Sequence, residues 1–394
     1  MRFIHIADSH LGRVAFNKTT EDGSNLRETL IYDNFFAAIN RVIDEQPEAL
    51  IHAGDLFDTV KPKTKALLVV MQALDMLKDA EIPFIAVAGN HSMQKNAHTI
   101  SAFEILKQAH PEIHVAYSFK YEDVQVGDTL FHLIPNMLHP EDYQIAADEA
   151  ISHIRHWKPL KKNGYSGPTN HVLVTHGLAS TIRDKRLSTV AEFELTPEVM
   201  SEEFDYIALG HYHGQMQVGQ NAWYSGSTEH LTYGEIADKK GGLEVEIDNG
   251  ITHVSHFSLP RSPMKDIGII RCSDLSMEDI IDSIENEVGL IDGVGDQMFQ
   301  ITLDFDGNPV KAIPADALTD IRDSILDLKI RVRSKETERQ QIQQQDLRTV
   351  NYVDEWDRFM GPSYPMNETM RAIVQQRGSE TLKTVMQQHA EVTE

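Results

Sequence analysis

The chain has 394 residues, 41% of them apolar, and carries 60 acidic against 36 basic side chains for a formal charge of −24. That length supplies core for about two domains and a small appendage, and the acidity argues against a broad electropositive face for nucleic acid. No apolar run reaches the ~18–20 residues of a membrane span, no signal peptide is visible, and the single Cys272 allows no intrachain disulfide, so a cytoplasmic location is expected.

Short apolar strands alternate with amphipathic helices through the first two-thirds. Strands are expected at Phe3–Ala7, Ala49–Ala53, Phe84–Ala88, Thr129–Ile134, His171–Thr175 and Tyr206–Leu209, and helices at Tyr32–Glu45, Pro62–Asp79, Thr99–Gln108 and Glu141–His156. This alternation predicts an α/β architecture with helix-covered sheets. Pro159–Pro168 reads as a loop. Beyond residue 262 a second α+β pattern begins: a strand at Asp266–Cys272, a helix at Met277–Glu287, a strand at Phe299–Phe305, a helix at Ala315–Leu326 and a strand at Leu328–Val332. Residues 336–349 lack a core pattern and read as a linker. The tail, 350–394, holds helical stretches near Val353–Met360 and Met366–Gln376.

Five segments share one design: an apolar strand, a small residue, then a side chain able to hold a metal. They are Ala7-Asp8-Ser9-His10, Ala53-Gly54-Asp55, Ala88-Gly89-Asn90-His91, Val174-Thr175-His176-Gly177 and Leu209-Gly210-His211-Tyr212-His213. In open α/β sheets ligands gather at the carboxyl ends of strands, so these segments are expected to converge on one rim. The donors Asp8, His10, Asp55, Asn90, His176, His211 and His213 mix carboxylate, imidazole and amide without thiolate. That set suits Mn²⁺, Fe²⁺ or Zn²⁺ in an open site. Seven donors exceed the need of one ion and serve two if a carboxylate bridges.

The pattern D-x-H, G-D, G-N-H, H, G-H-x-H resembles the signature of the calcineurin-like metallophosphoesterases over roughly residues 1–230. The resemblance implies a two-sheet sandwich flanked by helices. It further implies that Asp55 bridges two cations (Mn²⁺ foremost, with Mg²⁺, Fe or Zn as alternatives), that Asp8, His10 and His213 complete one site, and that Asn90, His176 and His211 complete the other. His91 falls on the family's transition-state histidine; its alternative role is to orient Asn90 or a phosphate. Within the family, His5-Ile6-Ala7-Asp8-Ser9-His10-Leu11-Gly12, Gly54-Asp55-Leu56-Phe57-Asp58 and Tyr224-Ser225-Gly226-Ser227-Thr228-Glu229 are similar to the SbcD-type double-strand-break repair nucleases. That likeness implies a nuclease domain over 1–262, a small capping domain over 263–335 and a helix-loop-helix over 350–394 that docks on an SMC-like coiled-coil ATPase. It implies 3′-to-5′ exonuclease and single-strand endonuclease action on DNA. Ser92 departs from the pattern, which usually has an acid after Gly-Asn-His; this puts rate and metal preference in question. Another phosphodiesterase or phosphatase of the superfamily, or a non-catalytic repair scaffold, are the competing readings.

Residues 62–79 have almost no polar face, which predicts burial on two sides; the resemblance implies a homodimer through this helix and the one near 99–108. Basic candidates for DNA contact follow the metal motifs: Arg13 and Lys18, then Lys61, Lys63 and Lys65, then Arg183, Lys185 and Arg186. His5 and His52 are expected as buried groups just beneath the rim.

Overall fold

The structure is a computed structural model; it describes residues 1–93, 100–162, 167–182, 195–259, 264–289, 295–306, 313–314, 316–334, 356, 360 and 368–392. In chain order the strands are β1 (Arg2–Ile6), β2 (Ala49–His52), β3 (Phe84–Val87), β4 (His114–Ala116), β5 (Glu122–Val126), β6 (Thr129–Ile134), β7 (Asn170–His176), β8 (Tyr206–Gly210), β9 (Met216–Gln217) and β10 (Ala222–Tyr224). They continue as β11 (Gly241–Asp248), β12 (Ile251–Ser258), β13 (Met264–Arg271), β14 (Met298–Phe305) and β15 (Asp327–Ser334). The helices are α1 (Leu26–Glu45), α2 (Thr64–Asp79), α3 (Ala102–Ala109), α4 (Pro140–Lys162), α5 (Met277–Gly289), α6 (Thr319–Ser324) and α7 (Glu368–Val392).

Two six-stranded sheets carry the fold, in the orders β12-β11-β1-β2-β3-β4 and β5-β6-β7-β8-β10-β9; a three-stranded sheet follows the order β13-β14-β15. β1, β2, β3 and β4 run parallel, with Phe3 opposite Ala49 and Leu50 opposite Phe84. Parallel strands covered on both faces read as near-continuous apolar runs, which is why β2, β3 and β7 were legible. The two large sheets face each other through Phe3, Ile51, Ile85, Phe131, Val172 and Tyr206, all fully buried. The outer face of the first sheet packs against α1, α2 and α3 through residues such as Phe35, Val70 and Phe103. The outer face of the second is covered by α4 through Tyr143, Ala147 and Ile154. The expected two-sheet sandwich flanked by helices is thus the architecture observed.

Several local expectations change. α1 begins earlier than its apolar pattern, at Leu26, because the Asn25 side chain caps it by accepting from Glu28 N at 3.0 Å. α4 runs on to Lys162, so the first part of the loop expected at Pro159–Pro168 is helical. The helix expected over Ala315–Leu326 shrinks to α6, since Ile325 turns extended and Leu326 N donates to Gln297 O at 2.9 Å. The hairpin of β11 and β12 was not anticipated, although Asn249-Gly250, at φ 50° and 78°, is the turn pair such hairpins demand.

The chain divides into two compact units: Met1–Gly268 with Ile284–Ile301 and Ala315–Lys329, and Ile269–Ser283 with Thr302–Pro314 and Ile330–Glu394. In the first, Tyr233, Met264, Met298 and Leu326 form a small core bordered by Phe16 and Leu30. In the second, Trp356 Nε1 donates to Gln375 O of α7 at 2.9 Å, and its ring lies where a Cβ on Gly378 would sit. The expected linker 336–349 lies outside the described residues.

Candidate metal centre

The turns after β1, β2, β3, β7 and β8 meet at one rim, drawing side chains from both large sheets. The first two motifs are stitched through the backbone: Asp8 N donates to Gly54 O and His10 N to Asp55 O, both at 3.0 Å. Asp8, His10, Asp55 and His211 sit at φ 53°, 44°, 50° and 101°. Non-glycine residues held there store ~1–3 kcal/mol each and persist only where surrounding bonds impose it. The glycines beside them serve close approach. A Cβ on Gly89 would lie 2.3 Å from Asp55 Oδ1, and one on Gly210 would lie 2.0 Å from Ala53 O.

The ring nitrogens are oriented from behind. His176 Nδ1 donates to Ala53 O at 2.9 Å, which leaves Nε2 to face Asn90 Oδ1 at 3.0 Å and Asp55 Oδ2 at 3.2 Å. His10 Nδ1 donates to Asp58 Oδ1 at 3.0 Å, and His213 Nδ1 to Glu235 Oε1 at 3.1 Å. His211 is reversed: its Nδ1 faces Asn90 Oδ1 at 3.1 Å, while its backbone N donates to both Asp8 oxygens at 3.1 Å. His10 Nε2 is buried and has no hydrogen-bond partner among the described residues; Asp55 Oδ2 lies 3.8 Å away. Donor atoms of Asp8, His10 and His213 lie within 4.8 Å of one another, as do those of Asp8, Asp55 and His176, and of His10, Asp55 and His91. An inward orphaned imidazole nitrogen among carboxylates fits divalent cations of the Mn²⁺, Fe²⁺ or Zn²⁺ kind.

The electrostatics of the rim set burial against these neighbours. Burial alone would raise the Asp55 pKa, but His176, His10 and His91 outweigh it and hold the carboxyl well below the usual range. For Asp8 burial wins, and its pKa is raised despite His176 and His213 nearby. Burial would lower His176, yet Asp55 and Asp8 lift it to about 9. Burial, aided by His176, pushes His211 down to about 3. Opposite directions at Asp55 and His176 mark them as one charge pair, and metal binding to such imidazole and carboxylate donors competes with protons.

All seven predicted donors and His91 meet at this rim. His91 is exposed; its N donates to Asp55 Oδ1 at 2.9 Å and its Nδ1 to Asp58 O at 3.0 Å. Ser92 Oγ accepts from Gly89 N at 3.2 Å, so it braces the Gly-Asn-His turn and not the His91 ring. His52 Nε2 lies 2.9 Å from Ser9 Oγ, whereas His5 turns to Tyr206 OH at 2.9 Å. The basic candidates scatter. Arg13 binds Asp58 Oδ1 at 3.2 Å, Lys18 donates to Asp323 O at 2.6 Å, and Lys63 pairs with buried Glu28 at 3.2 Å. Lys65 donates to Ser24 Oγ at 3.2 Å, and Lys61 is exposed. Arg183, Lys185 and Arg186 lie outside the described residues. Sequence reasoning missed Asp58, Glu235 and Lys240. Asp58 could have been found from its place three residues after Asp55; Glu235 and Lys240 have no local signal.

The family model for calcineurin-like phosphoesterases matches residues 1–215, more than half of the chain, and the chain belongs to that family. Among curated proteins, the SbcD component of the nuclease SbcCD from Staphylococcus saprophyticus is 27% identical over 283 residues, covering 68% of this chain and 71% of that protein. The DNA double-strand break repair protein Mre11 of Methanopyrus kandleri is 27% identical over 260 residues, covering 64% of this chain and 55% of that one. The protein of the same name from Methanocaldococcus jannaschii is 30% identical over 245 residues, covering 61% and 60%. The chain thus spans less than two thirds of these archaeal relatives. Among the described residues, no helix is long and apolar enough to cross a membrane.

Proposed function

We propose that this chain is a dimetal nuclease that hydrolyses phosphodiester bonds of DNA. Asp55 would be shared by two cations; Asp8, His10 and His213 would hold one, and Asn90, His176 and His211 the other. The observation that carries this reading is the set of ring nitrogens fixed from behind by Ala53 O, Asp58 and Glu235, which leaves their opposite nitrogens facing Asp8 and Asp55. When bound, the two cations supply polarisation of phosphoryl oxygens and a water-derived nucleophile at neutral pH.

The chain's own groups do the rest. The Ala53 and Asp58 acceptors fix the tautomers of His176 and His10 before any substrate arrives. His91 spends its Nδ1 proton on Asp58 O, so Nε2 is its outward atom. Neutral, that atom orients a phosphate or water; protonated, it stabilises charge or delivers a proton to the leaving oxygen. The His91 backbone N meanwhile holds Asp55 Oδ1.

The names of the relatives support DNA repair as the setting and, since one relative is a subunit of a nuclease, a further chain as partner, which in this proposal is an SMC-like ATPase. Trp356 seated against α7 supports a helical docking tail, and Leu68 (53% exposed) and Ile105 (45%) on α2 and α3 support a homodimer. The 3′-to-5′ exonuclease and single-strand endonuclease activities, Mn²⁺ as the cation, residues 263–335 as a cap and a cytoplasmic location complete the proposal.

The test is Mn²⁺-dependent cleavage of linear duplex, single-stranded and hairpin DNA beside bis-p-nitrophenyl phosphate. Cleavage of DNA lost in Asp8→Ala is the expected result. Turnover of the small diester with none of any DNA would reduce the protein to a phosphodiesterase of another substrate. Equal cleavage by Asp8→Ala and wild type would remove the activity from this site.

A further inference from the structure

His213 stands three residues beyond the end of β8, and it is part-exposed. Its orientation depends on two groups from later in the chain. Glu235 closes a 3-10 turn at Tyr233–Glu235, and Lys240 precedes β11. Both are buried, Lys240 fully.

Glu235 Oε1 accepts from His213 Nδ1 at 3.1 Å and from Thr232 Oγ1 at 3.0 Å. Its Oε2 accepts from Leu231 N at 3.1 Å and from Lys240 Nζ at 2.7 Å. Four donors leave that carboxylate little freedom to turn. Lys240 spends all three of its protons: on Glu235 Oε2, on Ser227 Oγ at 2.8 Å and on His213 O at 2.9 Å. An ammonium has three donors and no more. The pair therefore grips His213 at two points, its ring nitrogen through Glu235 and its backbone carbonyl through Lys240. Lysine is almost never fully buried without such partners. Neither residue donates an atom to the three donor clusters of the rim.

We infer that Glu235 and Lys240 are positioning residues that fix His213 and thereby set the affinity of the cation corner formed by Asp8, His10 and His213, leaving the Asn90, His176 and His211 corner unaffected. The inference rests on the dimetal reading above. The far corner has different supports: His176 is held by Ala53 O, on β2's own turn. Loss of Glu235 frees the His213 ring to rotate about its side chain and removes the acceptor that keeps the proton on Nδ1. Loss of Lys240 leaves the His213 carbonyl to Ser227 N alone, at 3.0 Å, and leaves a buried carboxylate without its cation.

The experiment is calorimetric titration of the metal-stripped full chain with MnCl₂, for wild type, Glu235→Gln, Glu235→Ala, Lys240→Met and His213→Ala, beside thermal unfolding without metal. Wild type is expected to show two binding steps. Glu235→Ala is expected to weaken one of them by about 10–100-fold, the usual cost of removing a ligand's hydrogen-bond partner, with the other step unchanged. Glu235→Gln keeps the shape and one acceptor oxygen, so it should fall between wild type and Glu235→Ala; it also covers the case in which the alanine variant fails to fold. Lys240→Met should weaken the same step. Glu235→Ala or Glu235→Gln binding both cations like wild type, while His213→Ala loses one step, would overturn the inference and leave the cage reading intact. Both steps weakening together in proportion to lost thermal stability would also overturn it, since the pair would then be structural only. His213→Ala titrating like wild type would instead sink the dimetal assignment beneath it.

Discussion

Replacing Gly210 by alanine should cripple the site without touching any donor. Gly210 ends β8 directly before His211, and its backbone does not adopt a left-handed conformation, so the argument is one of space alone. A Cβ there would lie 2.0 Å from Ala53 O and 2.9 Å from His176 Nδ1, where at least 3.0 Å is needed. The nearest obstacle is backbone, so about 1 Å of separation must come from moving the end of β2 or β8. Ala53 O is the atom that accepts from His176 Nδ1, so the displacement passes into the cage. Overpacking of this kind costs about 1–3 kcal/mol of stability, and misplacement of catalytic geometry by about 1 Å costs on the order of 10²-fold in rate. The assay is Mn²⁺-dependent cleavage at saturating metal, with thermal unfolding of the metal-free chain alongside. Gly289→Ala is the control, since a Cβ there meets nothing within 4 Å. Wild-type rate and stability in Gly210→Ala would refute the reasoning, because the two sheets would then not be in contact at the rim.

His91→Asn should lower the cleavage rate by about 10²–10³-fold while calorimetric Mn²⁺ affinity stays near wild type; an equal loss of affinity would make it a metal-holding group. His132 is held down to about 3 by burial, with His171 and His153 adding. It stays neutral in the folded chain but is protonated in the unfolded chain below its ordinary value of 6.5. Its contribution is therefore complete above pH 6.5 and is lost as pH falls toward 3, at about 1.4 kcal/mol per pH unit. Denaturant titrations of metal-free protein from pH 7 to 5 should show a shallower slope for His132→Phe; identical slopes would refute the burial argument. Leu68→Glu with Ile105→Glu should convert a dimer to a monomer in light scattering, and a dimer that survives both would place the interface elsewhere.

The donors were readable because each follows an apolar run whose burial is dictated by parallel strands, and because tight approach forces glycine beside them. Gly54-Asp55 and Gly210-His211 announce both facts within a few residues. The groups that orient the donors were less readable for the same physical reason in reverse. Glu235 and Lys240 reach His213 from a 3-10 turn and from the residue before β11, 22 and 27 residues further on, and nothing in their local pattern distinguishes them from solvated charges. Asp58 is intermediate, since it is close in sequence to Asp55 but its target, His10, is not. The basic candidates for DNA contact differ in how free they are. Arg13 and Lys63 looked available, yet each answers a carboxylate of the fold, Asp58 and Glu28. Spacing after a metal motif predicts position on the rim and says nothing about prior engagement.

That engagement bears on how so acidic a chain could hold a polyanion. Around the cage, the outer carboxylates Asp58 and Glu235 are each matched by a cation, Arg13 and Lys240, so Asp8 and Asp55, with His176 beside them, are the carboxylates left to face the cations. Two divalent cations return four positive charges, little against −24 overall but concentrated within one screening length of ~8 Å. The cage should therefore change sign locally on metal loading. Affinity for a single-stranded oligonucleotide is then expected to depend on the cations themselves, with a shallow salt dependence because, among the described residues, Arg13, Lys18, Lys63 and Lys65 already answer groups of the fold. Fluorescence anisotropy with the slowed His91→Asn variant measures this in Mn²⁺ and in chelator. Equal binding in chelator would refute the account and shift the attraction to basic side chains away from the cage.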